Sequence, residues 1–167
     1  DGDSLFANTG SIQAEFEGVL VEGAGFAGTN SGSIIARDDA LEMSPLTDDS
    51  TFTNSGIMSG GTRGITAEGT NLRVSNSGEI AGGDDGAAFA ASNVSLVNSG
   101  LITGAGDDGV TGRDNLVVTN SGTISGQSHG VHALSSNIAP TGTGNQQVLN
   151  TGIISSQASE AIYLQGT

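Results

Sequence analysis

Two pairs of adjacent aspartates are the residues with the clearest capacity for chemistry. Asp84-Asp85 lies in the stretch GGDDG, and Asp107-Asp108 lies in the near copy GAGDDG. Carboxylates grouped near backbone carbonyls supply the hard oxygen ligands that Ca²⁺ prefers. One hypothesis is therefore a single Ca²⁺ ion held by all four aspartates. The plainer hypothesis is a solvated acidic corner whose mutual repulsion is screened by salt.

The aspartate pairs belong to a repeat, because each pair follows a copy of the tripeptide Asn-(Ser/Thr)-Gly. Copies begin at Asn8, Asn30, Asn54, Asn76, Asn98, Asn120 and Asn150. The intervals are 22 residues in four cases, 24 in one and 30 in one. A recurring period of this length is typical of solenoid proteins, in which each repeat forms one rung.

Apolar residues return in the same phase. Four residues after each asparagine come Ile12, Ile34, Met58, Ile80, Ile102, Ile124 and Ile154, and a second column holds Val19, Leu41, Ile65, Ala87, Val110, Val131 and Ile162. A third group closes each copy, as in Asn71-Leu72-Arg73-Val74. Each group is short, alternates with polar residues and is bounded by turn-forming residues, which favours strands over helices.

Three short strands cannot bury their apolar faces alone, but stacked rungs can. The sequence therefore predicts an all-β fold: a right-handed parallel β-solenoid (β-helix) of about seven rungs of ~22 residues, with three short strands per rung. At one strand spacing per rung, this single domain over residues 1–167 would be a rod roughly 34 Å long.

Two rungs are longer than the others, with insertions at 44–50 and 135–144. Both insertions fall between the second and third predicted strands, and therefore on one edge of the rod. Loops on one edge of a repeat scaffold are a common place for binding residues, whereas a tolerated surface loop is the plainer interpretation.

The two ends of the chain carry no recognisable cap. The last copy, from Asn150 to Thr167, lacks its third strand, and residues 1–7 resemble the strand that would complete it. Unpaired strand edges at the ends of a solenoid favour further pairing. Because the chain begins at Asp1, we expect a segment cut from a longer solenoid; the alternative is head-to-tail self-association into a fibre.

The repeated asparagines have two interpretations. They could present polar groups to a ligand, or they could stack along the rod as an internal ladder of side-chain hydrogen bonds that holds a turn. Because an asparagine returns in every rung, the internal ladder is favoured for all seven. The glycine that follows would supply either a positive φ or a close approach between backbones.

Charged residues form a column at the corner before the second strand. It contains Asp39, Arg63, Asp85, Asp108, His129 and Glu160. Neighbouring rungs are about 5 Å apart, where two like charges repel by roughly 1 kcal/mol in water-like surroundings. We expect Arg63 and His129 to relieve that repulsion, whereas the step between the two aspartate pairs contains no basic residue.

The charge balance and composition exclude several classes of function. Acidic residues outnumber basic ones 18 to 4, and the net charge of −14 opposes binding to nucleic acid or an anionic membrane. No apolar stretch is long enough for membrane insertion. The chain has no cysteine and hence no disulfide or thiolate metal site. No cofactor is required, although Ca²⁺ could bind.

Catalysis is not expected. Asp85, Asp108, His129 and His132 could form a set of the kind that cleaves polysaccharides. Aromatic residues for stacking sugars make up only 4% of the chain, lysine is absent and no G-x-S-x-G motif occurs. We therefore assign no catalytic residue.

The unit N-S-G-x-I-x-G…G-V…N-L-x-V resembles the repeats of large secreted bacterial β-solenoid proteins. These include autotransporter passenger domains, filamentous-haemagglutinin-like adhesins and type I-secreted surface adhesins. The resemblance covers essentially the whole chain and carries over no catalytic residue. It implies an extracellular or cell-surface location, a structural or adhesive role, and a glycan or host-surface ligand. A fibre subunit and a carbohydrate-active lyase or hydrolase are the alternatives.

Overall fold

Strands of three or four residues repeat in a fixed order in the computed structural model, which describes residues 4–134 and 145–165. In chain order, the rungs contain β1 Leu5–Asn8, β2 Ser11–Ala14 and β3 Val19–Val21; β4 Ala27–Asn30, β5 Ser33–Ala36 and β6 Leu41–Met43; β7 Thr51–Asn54, β8 Ile57–Gly60 and β9 Ile65–Ala67; β10 Arg73–Asn76, β11 Glu79–Gly82 and β12 Ala87–Phe89; β13 Ser95–Asn98, β14 Leu101–Gly104 and β15 Val110–Gly112; β16 Val117–Asn120, β17 Thr123–Gly126 and β18 Val131–Leu134; β19 Gln147–Asn150, β20 Ile153–Ser156 and β21 Ile162–Gln165.

Each strand pairs in parallel with the equivalent strand of the next rung, which produces three seven-stranded sheets. Sheet A contains the first strand of every rung (β1 to β19), sheet B the second (β2 to β20) and sheet C the third (β3 to β21). The predicted all-β parallel solenoid is confirmed, and its right-handed sense stays a prediction. Among the described residues, no helix has the length and apolar character needed to cross a membrane.

The apolar columns predicted from the repeat face the core. In sheet B, Ile34, Met58, Ile80, Ile102 and Ile124 are stacked in register and fully buried. Sheet C contributes a second buried column that includes Leu41, Ile65, Ala87, Val110 and Val131. Burying one such aliphatic side chain contributes about 1.5–3 kcal/mol, so stacking the rungs supplies the stabilisation that one rung lacks.

Sheet A strands begin two residues later than the apolar pattern indicated. Asn71, Asn93 and Asn115 have φ angles of 57°, 58° and 60°, in the left-handed region that interrupts a strand. Asparagine adopts this conformation more readily than other residues with a Cβ atom. Leu72 is buried between this turn and the start of β10 at Arg73, so it packs in the core from outside a strand.

The insertion at 44–50 joins β6 to β7, and the one at 135–144, which lies outside the described residues, falls between β18 and β19. Both connect a sheet C strand to a sheet A strand, so they share one edge. The first insertion is tied to the next rung: Oδ1 of Asp48 accepts the Thr70 backbone N–H at 2.7 Å and its hydroxyl at 2.8 Å. These two hydrogen bonds lower the pKa of Asp48.

Candidate functional site

The asparagines of the repeat end the sheet A strands and form an inner asparagine ladder. From Asn8 to Asn120, Nδ2 of each donates a 2.8 Å hydrogen bond to Oδ1 of the asparagine in the next rung. The same Nδ2 donates to the backbone carbonyl three residues beyond that next asparagine, at 3.0–3.2 Å. All but Asn150 are buried. These amides therefore hold the rungs together and do not face a ligand.

After the first repeat, the glycine of each tripeptide is required by a close approach between backbones. A Cβ atom added to Gly78 would lie 2.1 Å from the carbonyl oxygen of Gly56 in the preceding rung. The same contact, at 2.0–2.1 Å, would form at Gly32, Gly56, Gly100, Gly122 and Gly152. Among the described glycines only Gly25 has a positive φ, so the tripeptide uses glycine for space and not for a left-handed turn.

Three aspartates of the charged column are buried. For Asp85 and Asp108, this contradicts the plainer hypothesis of a solvated acidic corner, whereas Asp84 and Asp107 are exposed. Asp39, Asp85 and Asp108 are 6%, 8% and 2% exposed. Oδ1 of each accepts the backbone N–H of the equivalent residue in the next rung, at 3.0, 3.1 and 3.0 Å. A buried carboxylate without such partners would be strongly destabilising, so these bonds make its burial possible.

Basic side chains contact the column as the repeat phase indicated. Arg63 Nε lies 3.2 Å from Asp85 Oδ2, whereas Arg63 reaches Asp39 through its backbone N–H. His129 bridges two rungs, with Nδ1 at 2.8 Å from Asp108 Oδ1 and Nε2 at 3.5 Å from Glu160 Oε2. The Ser159 hydroxyl also donates to the Glu160 carboxylate.

The predicted four-aspartate Ca²⁺ site is reduced to three residues. Asp85, Asp107 and Asp108 offer carboxylate oxygens within 4.8 Å of one another, and Asp84 is not part of this group. Asp107 is exposed, whereas the other two already accept backbone hydrogen bonds. Stabilisation by Ca²⁺ stays a prediction, now confined to these three.

Both histidines of the chain contact the same carboxylate. His129 Nδ1 lies 2.8 Å from Asp108 Oδ1, and His132 Nδ1 lies 2.7 Å from Asp108 Oδ2. Their ring centroids are 4.6 Å apart, and the Tyr163 ring packs against them at 5.7 and 5.3 Å. The four residues that could act on a polysaccharide are therefore connected. Asp108 contacts both histidines, and Oδ1 of Asp85 accepts the Asp108 backbone N–H.

The contact of His132 was not expected from the sequence, although a signal for it exists. His132 follows His129 by three residues, as Thr66 follows Arg63. The second and third rungs carry the equivalent bond, in which the Thr66 hydroxyl donates to Asp39 Oδ2 at 2.5 Å. The third residue after a column position can therefore reach the carboxylate of the preceding rung.

A second chain of side-chain hydrogen bonds runs along the edge between sheets C and A. Asn71 Nδ2 donates to Asp49 Oδ1 at 3.0 Å, Asn93 Nδ2 to Asn71 Oδ1 at 3.1 Å, and Asn115 Nδ2 to Asn93 Oδ1 at 2.8 Å. The Asn145 backbone N–H donates to Asn115 Oδ1 at 3.0 Å. We call this the outer amide ladder. The 22-residue spacing of its three asparagines is visible in the sequence, but the apolar pattern places those asparagines in strands.

The outer amide ladder lines a surface groove with a volume of about 600 Å³. Asp49 belongs to the insertion at 44–50, and Asn145 directly follows the insertion at 135–144. The ladder thus runs from one insertion to the other along the edge that the insertions share. Arg73 and the hydroxyl-bearing residues Thr51 and Ser95 complete the polar lining.

No known family model matches the chain, and neither a curated protein nor a solved structure is significantly similar to it. Fold alone does not determine function, because unrelated activities occur on the same architecture. The outer amide ladder and the groups around Asp108 are therefore the features of this chain that bear on its function.

We expect the protein to lose stability as the pH rises from acid to neutral, and Asp39→Asn to weaken this loss. Burial raises the pKa of Asp39 above its ordinary value of 3.8, against opposing effects of the Thr66 hydrogen bond and the Arg63 charge. The folded state then holds the proton more tightly than the unfolded state. The resulting stabilisation is complete below pH 3.8 and disappears as the pH rises through the higher folded-state pKa.

Urea unfolding of the wild type and Asp39→Asn between about pH 3 and pH 8 measures this effect. The asparagine has no proton to lose, and it can accept from the Arg63 N–H and donate to the Thr66 hydroxyl. Burial also raises the pKa of Asp85, so the variant should reduce the slope and not abolish it. Asp48→Asn is the control of opposite sign, because the pKa of Asp48 is lowered. Equal slopes for wild type and Asp39→Asn would contradict the prediction.

Proposed function

We propose that this chain is a rigid structural and adhesive rod segment of a secreted or bacterial cell-surface protein, and that the outer amide ladder binds an extended glycan. The observation that carries the proposal is the course of this ladder. Its amides lie on the one edge of the solenoid that carries both insertions, and they line a groove.

The chemistry of the ladder suits sugar hydroxyls. A side-chain amide has two N–H donors and a carbonyl with two lone pairs. Within the ladder, Asn71 and Asn93 each use one N–H donor and one carbonyl lone pair. Each side chain therefore keeps a second N–H and a second lone pair for a ligand. Sugar hydroxyls donate and accept in the same way. Because equivalent amides repeat at one strand spacing, about 4.8 Å, a long polymer can engage several rungs together.

The charge of the chain limits its partners, and the likeness of its repeat supports a location outside the cell. The net charge of −14 disfavours nucleic acid and anionic membranes as partners, but not neutral glycans. The likeness of the repeat to secreted bacterial β-solenoid proteins supports the same location. The inner asparagine ladder, the outer amide ladder and three continuous sheets connect the rungs. Such a rod suits a segment that holds a binding edge at a fixed distance from the cell surface.

A glycan array followed by a titration tests the proposal. We expect at least one soluble polysaccharide to bind, and the double variant Asn71→Gly/Asn93→Gly to bind it roughly tenfold more weakly, on the scale of one or two lost hydrogen bonds. Glycine keeps the positive φ at both positions, so the variant removes the amides without straining the turn. Thr103→Ala on the outward face of sheet B is the matched control, because its neighbour in register is Ala81.

Three results would replace the proposal. Release of shortened sugars by the wild type would favour the carbohydrate-active alternative. A mass that rises steadily with protein concentration would favour the self-stacking fibre subunit. Equal glycan binding by the double variant and the wild type would place the ligand elsewhere on the rod.

A further inference from the structure

We propose that Asp108, His129 and His132 form a binding site for a divalent transition-metal ion, and that Zn²⁺ is the ion that fits best. The three residues offer one carboxylate oxygen and two imidazole nitrogens, and these atoms all lie within 4.8 Å of one another. Two imidazoles and one carboxylate are a ligand set that Zn²⁺ uses in proteins, with water in the fourth position. This site is independent of the glycan-binding edge.

The distances between the three side chains are close to those of a metal site. His129 Nδ1 and His132 Nδ1 lie 2.8 and 2.7 Å from the two oxygens of Asp108. Ligands at about 2.0–2.2 Å from a tetrahedral ion lie roughly 3.3 Å apart. An ion between these atoms therefore requires each pair to separate by only about half an ångström.

Glu160 gives His129 the outer partner that metal-bound imidazoles usually have. When Nδ1 binds the ion, a neutral ring carries its proton on Nε2. The Glu160 carboxylate lies 3.5 Å from that nitrogen and can accept the proton's hydrogen bond. Burial supports the same site: the side chain of Asp108 is 4% exposed, whereas His129 and His132 are 17% and 24% exposed. The Asp108 carboxylate is thus enclosed by the protein, whereas both imidazole rings are partly exposed to solvent.

The solenoid itself does not require histidine at either position. Asp39 occupies the same place as Asp108, and there Arg63 donates the backbone N–H and Thr66 donates the second hydrogen bond. The fold therefore satisfies an equivalent buried carboxylate without imidazole. The two histidines of the chain instead meet on one aspartate, which the fold does not require.

The ligand set also separates this site from a Ca²⁺ site. Ca²⁺ takes six to eight oxygen ligands, whereas imidazole nitrogens suit zinc, copper, iron and nickel. The carboxylates of Asp85, Asp107 and Asp108 form a neighbouring oxygen-only group that shares Asp108. Asp107 therefore distinguishes the two sites, since it belongs to the oxygen-only group alone.

Titration of the metal-free protein with Zn²⁺ by calorimetry tests the site, and Co²⁺ serves as a spectroscopic probe. We expect one ion per chain, a higher melting temperature, and the visible absorption of tetrahedral Co²⁺. His132→Thr should weaken binding by more than about a hundredfold, because it removes a ligand, and Glu160→Gln by about 10–100-fold. Asp107→Asn should bind Zn²⁺ like the wild type.

His132→Thr is designed to fold, since threonine at the equivalent position 66 hydrogen-bonds the carboxylate of the preceding rung. Its circular dichroism spectrum and urea midpoint without metal should match those of the wild type, which separates loss of the ligand from loss of the fold. Wild-type-like Zn²⁺ affinity in folded His132→Thr, loss of Zn²⁺ binding in Asp107→Asn, or no Zn²⁺ binding by the wild type would each overturn the proposal.

Discussion

Asn76→Asp should destabilise the protein by about 3–5 kcal/mol at neutral pH, the scale expected when a buried charge faces unsuitable partners. Asn76 Nδ2 donates to Asn98 Oδ1 at 2.8 Å, to the Leu101 carbonyl at 3.1 Å and to the Gly78 carbonyl at 3.2 Å. An aspartate of the same shape would present a negative oxygen to these three acceptors. Because domains are stable by only about 5–15 kcal/mol, this loss takes a large part of the total.

Urea denaturation followed by circular dichroism measures this loss, and its pH dependence gives a second readout. A protonated aspartic acid regains one donor, so the stability that Asn76→Asp loses relative to the wild type should shrink in acid. The loss in Asn76→Ala relative to the wild type should not change with pH. A small loss that is equal in the two variants would contradict the role given to the inner asparagine ladder.

Asn150→Asp is the matched control within the same ladder. Asn150 is exposed, and its Oδ1 accepts from Asn120 Nδ2 at 2.8 Å and from the Gly152 N–H at 3.2 Å. A carboxylate keeps both of these contacts and loses only the donation to the Gly152 carbonyl. The change in stability should therefore be below about 1 kcal/mol. A loss as large as that of Asn76→Asp would mean that the charge itself, and not the broken ladder, destabilises the rod.

The fold was predictable because its strongest determinants are periodic in the sequence. The asparagine of the tripeptide returns in each rung, and an isoleucine, or Met58 in one rung, follows it four residues later. In-register parallel pairing turns that period directly into columns. Ile80 faces the core because Ile102 and Met58 occupy its place in the adjoining rungs. A feature repeated in every rung is thus specified many times over.

The candidate sites were less predictable, because they depend on which way single side chains turn. A column predicts that Asp85 and Asp108 are neighbours, but not that Oδ1 of Asp85 accepts the Asp108 N–H and so leaves the surface. Asp108 lies at the corner before β15, whereas His132 lies within β18. No single column of the repeat contains both residues, so their contact does not follow from the period. The alternation of apolar and polar residues predicts a strand that starts at Asn71, because this alternation carries no sign of a left-handed backbone.

Gly78→Ala should also be strongly destabilising, near or above the upper end of the about 1–3 kcal/mol range for overpacking. The added Cβ atom would lie 2.1 Å from the Gly56 carbonyl oxygen and 2.7 Å from the Ser55 carbonyl carbon. Carbon atoms in contact sit at about 3.5–4.0 Å, and a Cβ atom cannot rotate away because it is fixed to the backbone. The two rungs would have to separate, which would break the 2.9 Å hydrogen bond from the Glu79 N–H to that same Gly56 carbonyl.

Gly10→Ala places the same substitution in the same tripeptide without the contact. A Cβ atom on Gly10 would have nothing within 4 Å, and the backbone there has no positive φ. Alanine also restricts the unfolded chain, which stabilises a protein by about 0.4–1 kcal/mol where the folded conformation permits it. The two variants should therefore differ in sign as well as size when their urea midpoints are compared. Equal midpoints would mean that the spacing between rungs adapts to a methyl group. Close packing of the backbones would then not explain the glycine of the tripeptide.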